Sequence, residues 1–256
     1  MGNLKYYEDV LGRNGLIIPV YCNFELLQKI CKTLHENPHS NDEEIAAILS
    51  EVYSPNHLAA MVLYRYPDVP IVCNFKDSIT EAITAHFLGL RHAAVAALAP
   101  VVEGIGNVLY QERKLGGSRL HIKDKFELLA RHAINDVNEK KIGAYEEVDS
   151  MLESFLTFLN RYYYTSSKSY PLADKTNRNG ILHGTYTDAD YGSDLNFYKI
   201  LSAVDMLCLI SKFQVLQPRW TDESRALGAQ FAHYRTIRLP MISRNTENEG
   251  LPGTEN

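Results

Sequence analysis

The sequence lacks the motifs that identify most common enzyme classes. It contains no P-loop, no GxGxxG loop, no HExxH, no GxSxG and no zinc-ligand spacing, so none of those chemistries has a local signature here. Its four cysteines form no CxxC pair, and each lies among apolar residues. This usage is typical of small buried residues in a reducing compartment. We expect no metal and no cofactor.

An excess of positive charge is also missing. The chain has 26 Lys and Arg against 31 Asp and Glu, a formal net charge of −5. This balance argues against non-specific coating of nucleic acid and leaves room only for a local basic patch. We find no secretory signal, and no run approaches the roughly 20 apolar residues that a membrane span needs. We therefore expect a cytoplasmic protein that does not enter a membrane.

Strand signals are weak, and helical periodicity dominates the sequence. Asn41 and Glu44 have the spacing of a capping box at the start of a helix. Ser54, followed by proline, predicts another helix start. A long Ala/Leu/Val-rich stretch comes next, and Gly89 and Pro100 within it predict two helices or one bent helix.

The most regular pattern is "DLNFYKILSAVDMLCLISKF", where Phe197, Leu201, Val204 and Cys208 fall on one stripe. Together the patterns predict an all-α protein of seven to nine helices. Residues 1–75 are expected to form a helical N-terminal region and residues 76–216 a helical bundle. The remainder, 217–256, is expected to hold a short helix and a disordered tail, "NTENEGLPGTEN".

One short stretch stands out because it combines Arg and His at a helix junction. In "NRNGILHG", residues 177–184, Asn177 can cap a short helical turn and Gly184 can end it. Arg178 and His183 lie five positions apart, a spacing that chance alone supplies easily. A purely structural interpretation is therefore open: Arg178 pairs with a carboxylate, and His183 contacts carbonyl groups at a helix end.

The surrounding sequence adds a family resemblance. "NRNGILHG", followed by "NFYKILSAVDML", resembles the Arg-x(4–6)-His signature of the HEPN superfamily. The segment "HFLGLRHAAVAALAPVVEGIGNVL" is similar to the earlier helices of bacterial HEPN-like proteins and includes the pair Glu103-Gly104. The resemblance covers residues 80–212, while the N-terminal part is similar to the helical N-terminal region of some bacterial members. It implies a helical bundle of HEPN type with an additional helical N-terminal region.

The resemblance also implies roles for particular residues. Arg178 and His183 occupy the positions of the family's catalytic pair. Asn179 stands at the following polar position, where many relatives have histidine. Tyr186 lies one position beyond a tyrosine found in some members and is given a supporting role. Glu103 is a candidate partner that orients Arg178 or His183.

Many HEPN domains are metal-independent endoribonucleases of toxin, phage-defence and RNA-processing systems. RNA supplies its own nucleophile, the 2′-hydroxyl; a histidine can move the proton, and an arginine can hold the phosphate. The alternative is a catalytically inactive HEPN-like module that binds a nucleotide, RNA or a protein partner. A third reading is a structural helical protein in which the motif is coincidental.

The spacing poses a geometric problem. On a regular helix, five residues place Arg178 and His183 about 140° apart, so they converge only through an irregular turn or a second chain. HEPN domains usually form head-to-head dimers, and we expect a homodimer through residues 174–190. A neutralising or regulatory protein partner is also possible for such a system. We expect basic residues near the motif to supply local positive potential: Arg161, Lys168 and Lys175.

The tyrosine run at residues 162–164 has two interpretations. Its rings can stack on bases, or they straddle a helix end and pack inside the protein. The second interpretation is the commoner one for such runs.

Overall fold

The computed structural model describes residues 4–36, 42–117, 119–215 and 218–248. Within these ranges the chain forms eleven α-helices and no strand. In chain order the helices are α1 (Lys5–Arg13), α2 (Phe24–Glu36), α3 (Asp42–Val52), α4 (Pro55–Ala60), α5 (Lys76–Phe87), α6 (Arg91–Glu112), α7 (Ile122–Lys140), α8 (Tyr145–Phe158), α9 (Arg178–Leu182), α10 (Asp194–Lys212) and α11 (Asp222–Asn248). The predicted all-α fold class is confirmed.

Helices α6 and α10 form the centre of the bundle and pack against each other. In α10 every residue from 195 to 210 is buried, so the predicted apolar stripe is only part of a helix that is covered on all sides. Helices α5 and α7 pack on α6, and α8 packs on α7. Their apolar side chains join one continuous core.

The N-terminal helices lie against this centre. Helix α1 packs on α8, α2 packs on α3, and α3 packs on α10. Helix α11 packs on α4 and α5. The N-terminal region therefore shares its apolar core with the bundle.

Several local predictions are confirmed. The Ser54 hydroxyl accepts from the His57 backbone N–H at 3.3 Å and caps α4. The break between α5 and α6 falls at Gly89, whose φ of 81° is a left-handed conformation that glycine adopts without strain. Pro100 lies inside α6 without ending it. The predicted cap at Asn41 lies outside the described residues.

Three expectations need correction. The described residues form eleven α-helices rather than the seven to nine predicted, and α9, with only 5 residues, is too short to show a helical period. Helix α11 is 27 residues long rather than short, and it takes in residues 245–248 of the predicted tail; residues 249–256 lie outside the described part. Helix α6 is long and apolar enough to cross a membrane by length and composition, but 56% of that segment is buried inside the protein, as in a core helix.

Candidate functional site

Helix α9 is a single five-residue turn whose two ends are set by its own sequence. The Asn177 side chain accepts from the Gly180 N–H at 2.9 Å, which confirms the predicted N-cap. Gly184, with φ 64°, follows the last turn and lets the chain leave in a left-handed conformation. Ile181 is buried in the core. The turn is thus held rigidly at the surface of the bundle.

Arg178 and His183 meet within one chain. Nη1 of Arg178 lies 2.8 Å from Nε2 of His183. The separation of about 140° expected for a regular helix does not apply, because α9 ends at Leu182 and His183 has the backbone angles φ −98° and ψ 9°. The irregular turn therefore brings the pair together without a second chain.

Glu103 joins the pair from α6. Its Oε2 accepts from Nη2 of Arg178 at 3.0 Å, and its Oε1 forms an ion pair with Nε of the same guanidinium. The two side chains are 18% and 19% exposed, so solvent screens this pair only in part. Burial favours a lower pKa for Arg178, but the hydrogen bond and the charge of Glu103 outweigh burial and raise it. The contact expected between Glu103 and Arg178 is therefore present.

In the contact between Arg178 and His183 the guanidinium donates, because it has only donors, and Nε2 of His183 accepts. His183 itself is exposed to solvent. An ion pair between Arg178 and Glu103 alone would simply tie α9 to α6. The exposed histidine at the end of this pair adds a group of a type that can accept a proton.

The two supporting residues have different positions. The side-chain carbonyl oxygen of Asn179 accepts from Nη1 of Arg178 at 3.0 Å, and its amide donates to the carbonyl of Thr165 at 3.2 Å. Tyr186 instead donates to the carbonyl of Ser167 at 3.3 Å, and its ring covers Gly180. Asn179 thus belongs to the cluster, whereas Tyr186 supports the backbone of α9.

A buried polar network behind α9 is not visible in the sequence. Lys199 of α10 binds Asp174 with Nζ 3.0 Å from Oδ2, and both side chains are 2% exposed. Asp174 also accepts from the hydroxyl of Tyr170 at 3.2 Å, and the Asn196 amide donates to the Asp174 carbonyl at 2.6 Å. The network fixes the loop that leads into Asn177. In the sequence, Lys199 and Asp174 look like ordinary solvent-facing charges. Their role as a buried ion pair is visible only in the folded chain.

The surroundings of the motif carry both signs of charge. Arg161 and Lys168 are exposed, and Nζ of Lys175 lies 5.8 Å from the centre of the Tyr186 ring. On the other side, Asp188 and Asp190 follow the motif. The basic residues supply only a local positive surface, in keeping with the acidic chain.

The tyrosine run at residues 162–164 is buried, with no side chain more than 7% exposed. This supports the packing interpretation over base stacking. Among the residues that the structure describes, no group of three His, Cys, Asp or Glu side chains is arranged to hold a metal ion.

No protein-family model, curated protein or solved structure matches the chain. The candidate site consists of a carboxylate, a guanidinium and an imidazole in line at a partly exposed surface. This set can hold an oxyanion and accept a proton beside it.

Proposed function

We propose that this chain is a metal-independent endoribonuclease of HEPN type, with Arg178 and His183 as its catalytic residues. The observation that carries the proposal is the convergence of Glu103, Arg178 and His183 within a single chain, with the histidine exposed and its Nε2 in contact with the guanidinium. A cytoplasmic toxin, phage-defence or RNA-processing role fits such an enzyme, and a neutralising protein partner is part of the same proposal.

The proposed reaction uses the chemistry of RNA itself. Nε2 of His183 takes the proton of the 2′-hydroxyl, and the O2′–P bond forms while the P–O5′ bond breaks. Water protonates the departing 5′-oxygen, and the hydroxide that remains takes the proton back from His183. Arg178 stabilises the charge that accumulates on the phosphate oxygens, and Glu103 and Asn179 hold its guanidinium in place. The products are a 2′,3′-cyclic phosphate and a 5′-hydroxyl.

The proposal is tested with labelled single-stranded RNA in the presence of EDTA. We expect RNA to be cut and to carry a 2′,3′-cyclic phosphate or the 3′-phosphate derived from it. DNA of the same sequence should remain intact, because it lacks the attacking hydroxyl. Cleavage that requires a divalent metal, or that proceeds on DNA, would reject the mechanism.

A second candidate function is a catalytically inactive module that binds a nucleotide, RNA or a protein partner. The observation that favours it is the pairing of Arg178 with Glu103, which neutralises the charge on the guanidinium in the free protein. In that case RNA binding depends on Arg178, but no RNA tested is cut.

A further inference from the structure

The hydrogen-bonding capacity of Arg178 is almost filled in the free protein. Nη1 donates to Asn179 and His183, Nη2 donates to Glu103, and Nε pairs with the second oxygen of that carboxylate. A guanidinium has five N–H groups. Three of them donate hydrogen bonds, Nε lies in the ion pair with Glu103 without a hydrogen bond, and the second N–H of Nη2 has no partner among the described residues. An oxyanion that binds at the Nη1–Nη2 edge can accept from the unpartnered N–H of Nη2. To accept from Nη1 as well, it must displace Asn179 or His183.

His183 is the acceptor that can be displaced at least cost. Glu103 carries a full negative charge and contacts two nitrogens of the guanidinium. Asn179 is held by a second hydrogen bond, from its amide to the carbonyl of Thr165 at 3.2 Å. His183 contributes only one ring nitrogen, Nε2, on an exposed side chain, and water can solvate it once the bond to Arg178 is broken.

We propose that a tetrahedral oxyanion binds Arg178 by displacing His183, and that the released His183 then takes up a proton and donates it in a hydrogen bond to the same anion. Arg178 thereby covers the basic nitrogen in the free protein, and the anion uncovers it. With a simple anion the proton comes from solvent. With RNA, where the inference rests on the proposed function, the proton comes from the 2′-hydroxyl, so the substrate's own phosphate releases the base.

Among the side-chain types around the cluster, histidine is the one that in general changes its proton occupancy near neutral pH. Glu103 reaches it from α6 through Arg178, and Lys168 lies on the Ser167–Ser169 turn that packs on α9. Tyr163 and Tyr164 lie at the end of the turn that follows α8, within the influence of the charge of Arg178, and burial raises the pKa of both far above neutral. Burial raises the pKa of the Tyr186 phenol to about 12.

The test uses sulfate, a tetrahedral oxyanion that keeps its charge across neutral pH. Calorimetric titrations in two buffers with different protonation enthalpies measure the protons taken up on binding. For the unchanged protein at about pH 7.5 we expect uptake approaching one proton per bound sulfate. In ¹⁵N-histidine spectra, Nε2 of His183 should change from an unprotonated to a protonated nitrogen. His183→Gln should bind sulfate without proton uptake, and Arg178→Gln should lose binding.

Four results would overturn the inference: no sulfate binding, binding without proton uptake, uptake that persists in His183→Gln, or binding that persists in Arg178→Gln. The proposed function fails separately. Proton-linked sulfate binding without RNA cleavage would support the displacement of His183 and reject the endoribonuclease activity. RNA cleavage without proton-linked sulfate binding would support the activity and reject the displacement.

Discussion

Asp205 places a carboxyl group in the middle of α10, where it is 1% exposed. Its Oδ1 accepts from the hydroxyl of Tyr66 at 3.1 Å. Burial raises the pKa of Asp205 to about 7, against the opposing effects of Tyr66 and the nearby Arg65. The native state therefore binds this proton more tightly than the unfolded chain does.

Asp205→Asn should stabilise the protein at alkaline pH relative to the unchanged chain. Because the folded pKa is raised, the stability that Asp205 contributes is complete at acid pH, falls as pH rises towards about 7 and is then lost. The free energy of unfolding in urea is measured at pH 5 and at pH 8.5. Between these two pH values it should fall further for the unchanged chain than for the variant, by an amount on the order of a few kcal/mol. The exposed control Asp222→Asn should show no such difference; equal pH profiles for Asp205→Asn and the unchanged chain contradict the assignment.

Lys199→Met should be strongly destabilising. The change leaves the buried Asp174 carboxylate without its cation, and breaking one side of a buried pair costs about 3–5 kcal/mol. Thermal unfolding is the measurement, with Lys212→Met at the end of the same helix as control, because Lys212 is half-exposed and donates only to the carbonyl of Asp68. Similar melting temperatures for the two variants would show that the buried pair contributes little.

At the scale of elements, α9 depends on the close approach of a ring to its backbone. A Cβ atom at Gly180 would lie 2.2 Å from Cε2 of Tyr186, closer than real contacts allow. Gly180→Ala should therefore push Tyr186 away and destabilise the protein by about 1–3 kcal/mol. Gly117→Ala is the matched control, because a Cβ there meets nothing within 4 Å.

A second background separates this clash from any other effect of alanine. In Tyr186→Ala the ring is gone, so adding Gly180→Ala should cost nothing further. Equal losses in both backgrounds, measured by urea unfolding, would mean that the ring is not the reason for glycine.

Elements with long periodic patterns could be predicted from sequence, and so could the local signals at their ends. The cap at Asn177 and the break at Gly89 are examples. The convergence of Arg178 and His183 could not be predicted, because it depends on how few residues α9 contains. The pairing of Asp174 with Lys199 joins residues 25 positions apart, a distance over which local propensity carries no information.

On the scale of the whole molecule, the homodimer through residues 174–190 stays a prediction. The geometric reason for it is weaker, because one chain already brings Arg178 to His183. Two such clusters facing one cleft would still place two Arg and His pairs along a bound RNA. Light scattering at tens of micromolar should give about twice the mass of the 29.0 kDa chain. A strict monomer at that concentration contradicts the prediction.

The central claim is that His183 and Arg178 act on one transition state, and single-turnover RNA cleavage in EDTA tests it most directly. His183→Ala and Arg178→Ala should each reduce the rate by roughly 10²-fold or more. The double variant should lose little beyond either single one, because the two residues act together. His233→Ala, at an exposed histidine of α11, is the control and should keep the full rate. Cleavage that survives the double substitution in a folded protein would contradict the account.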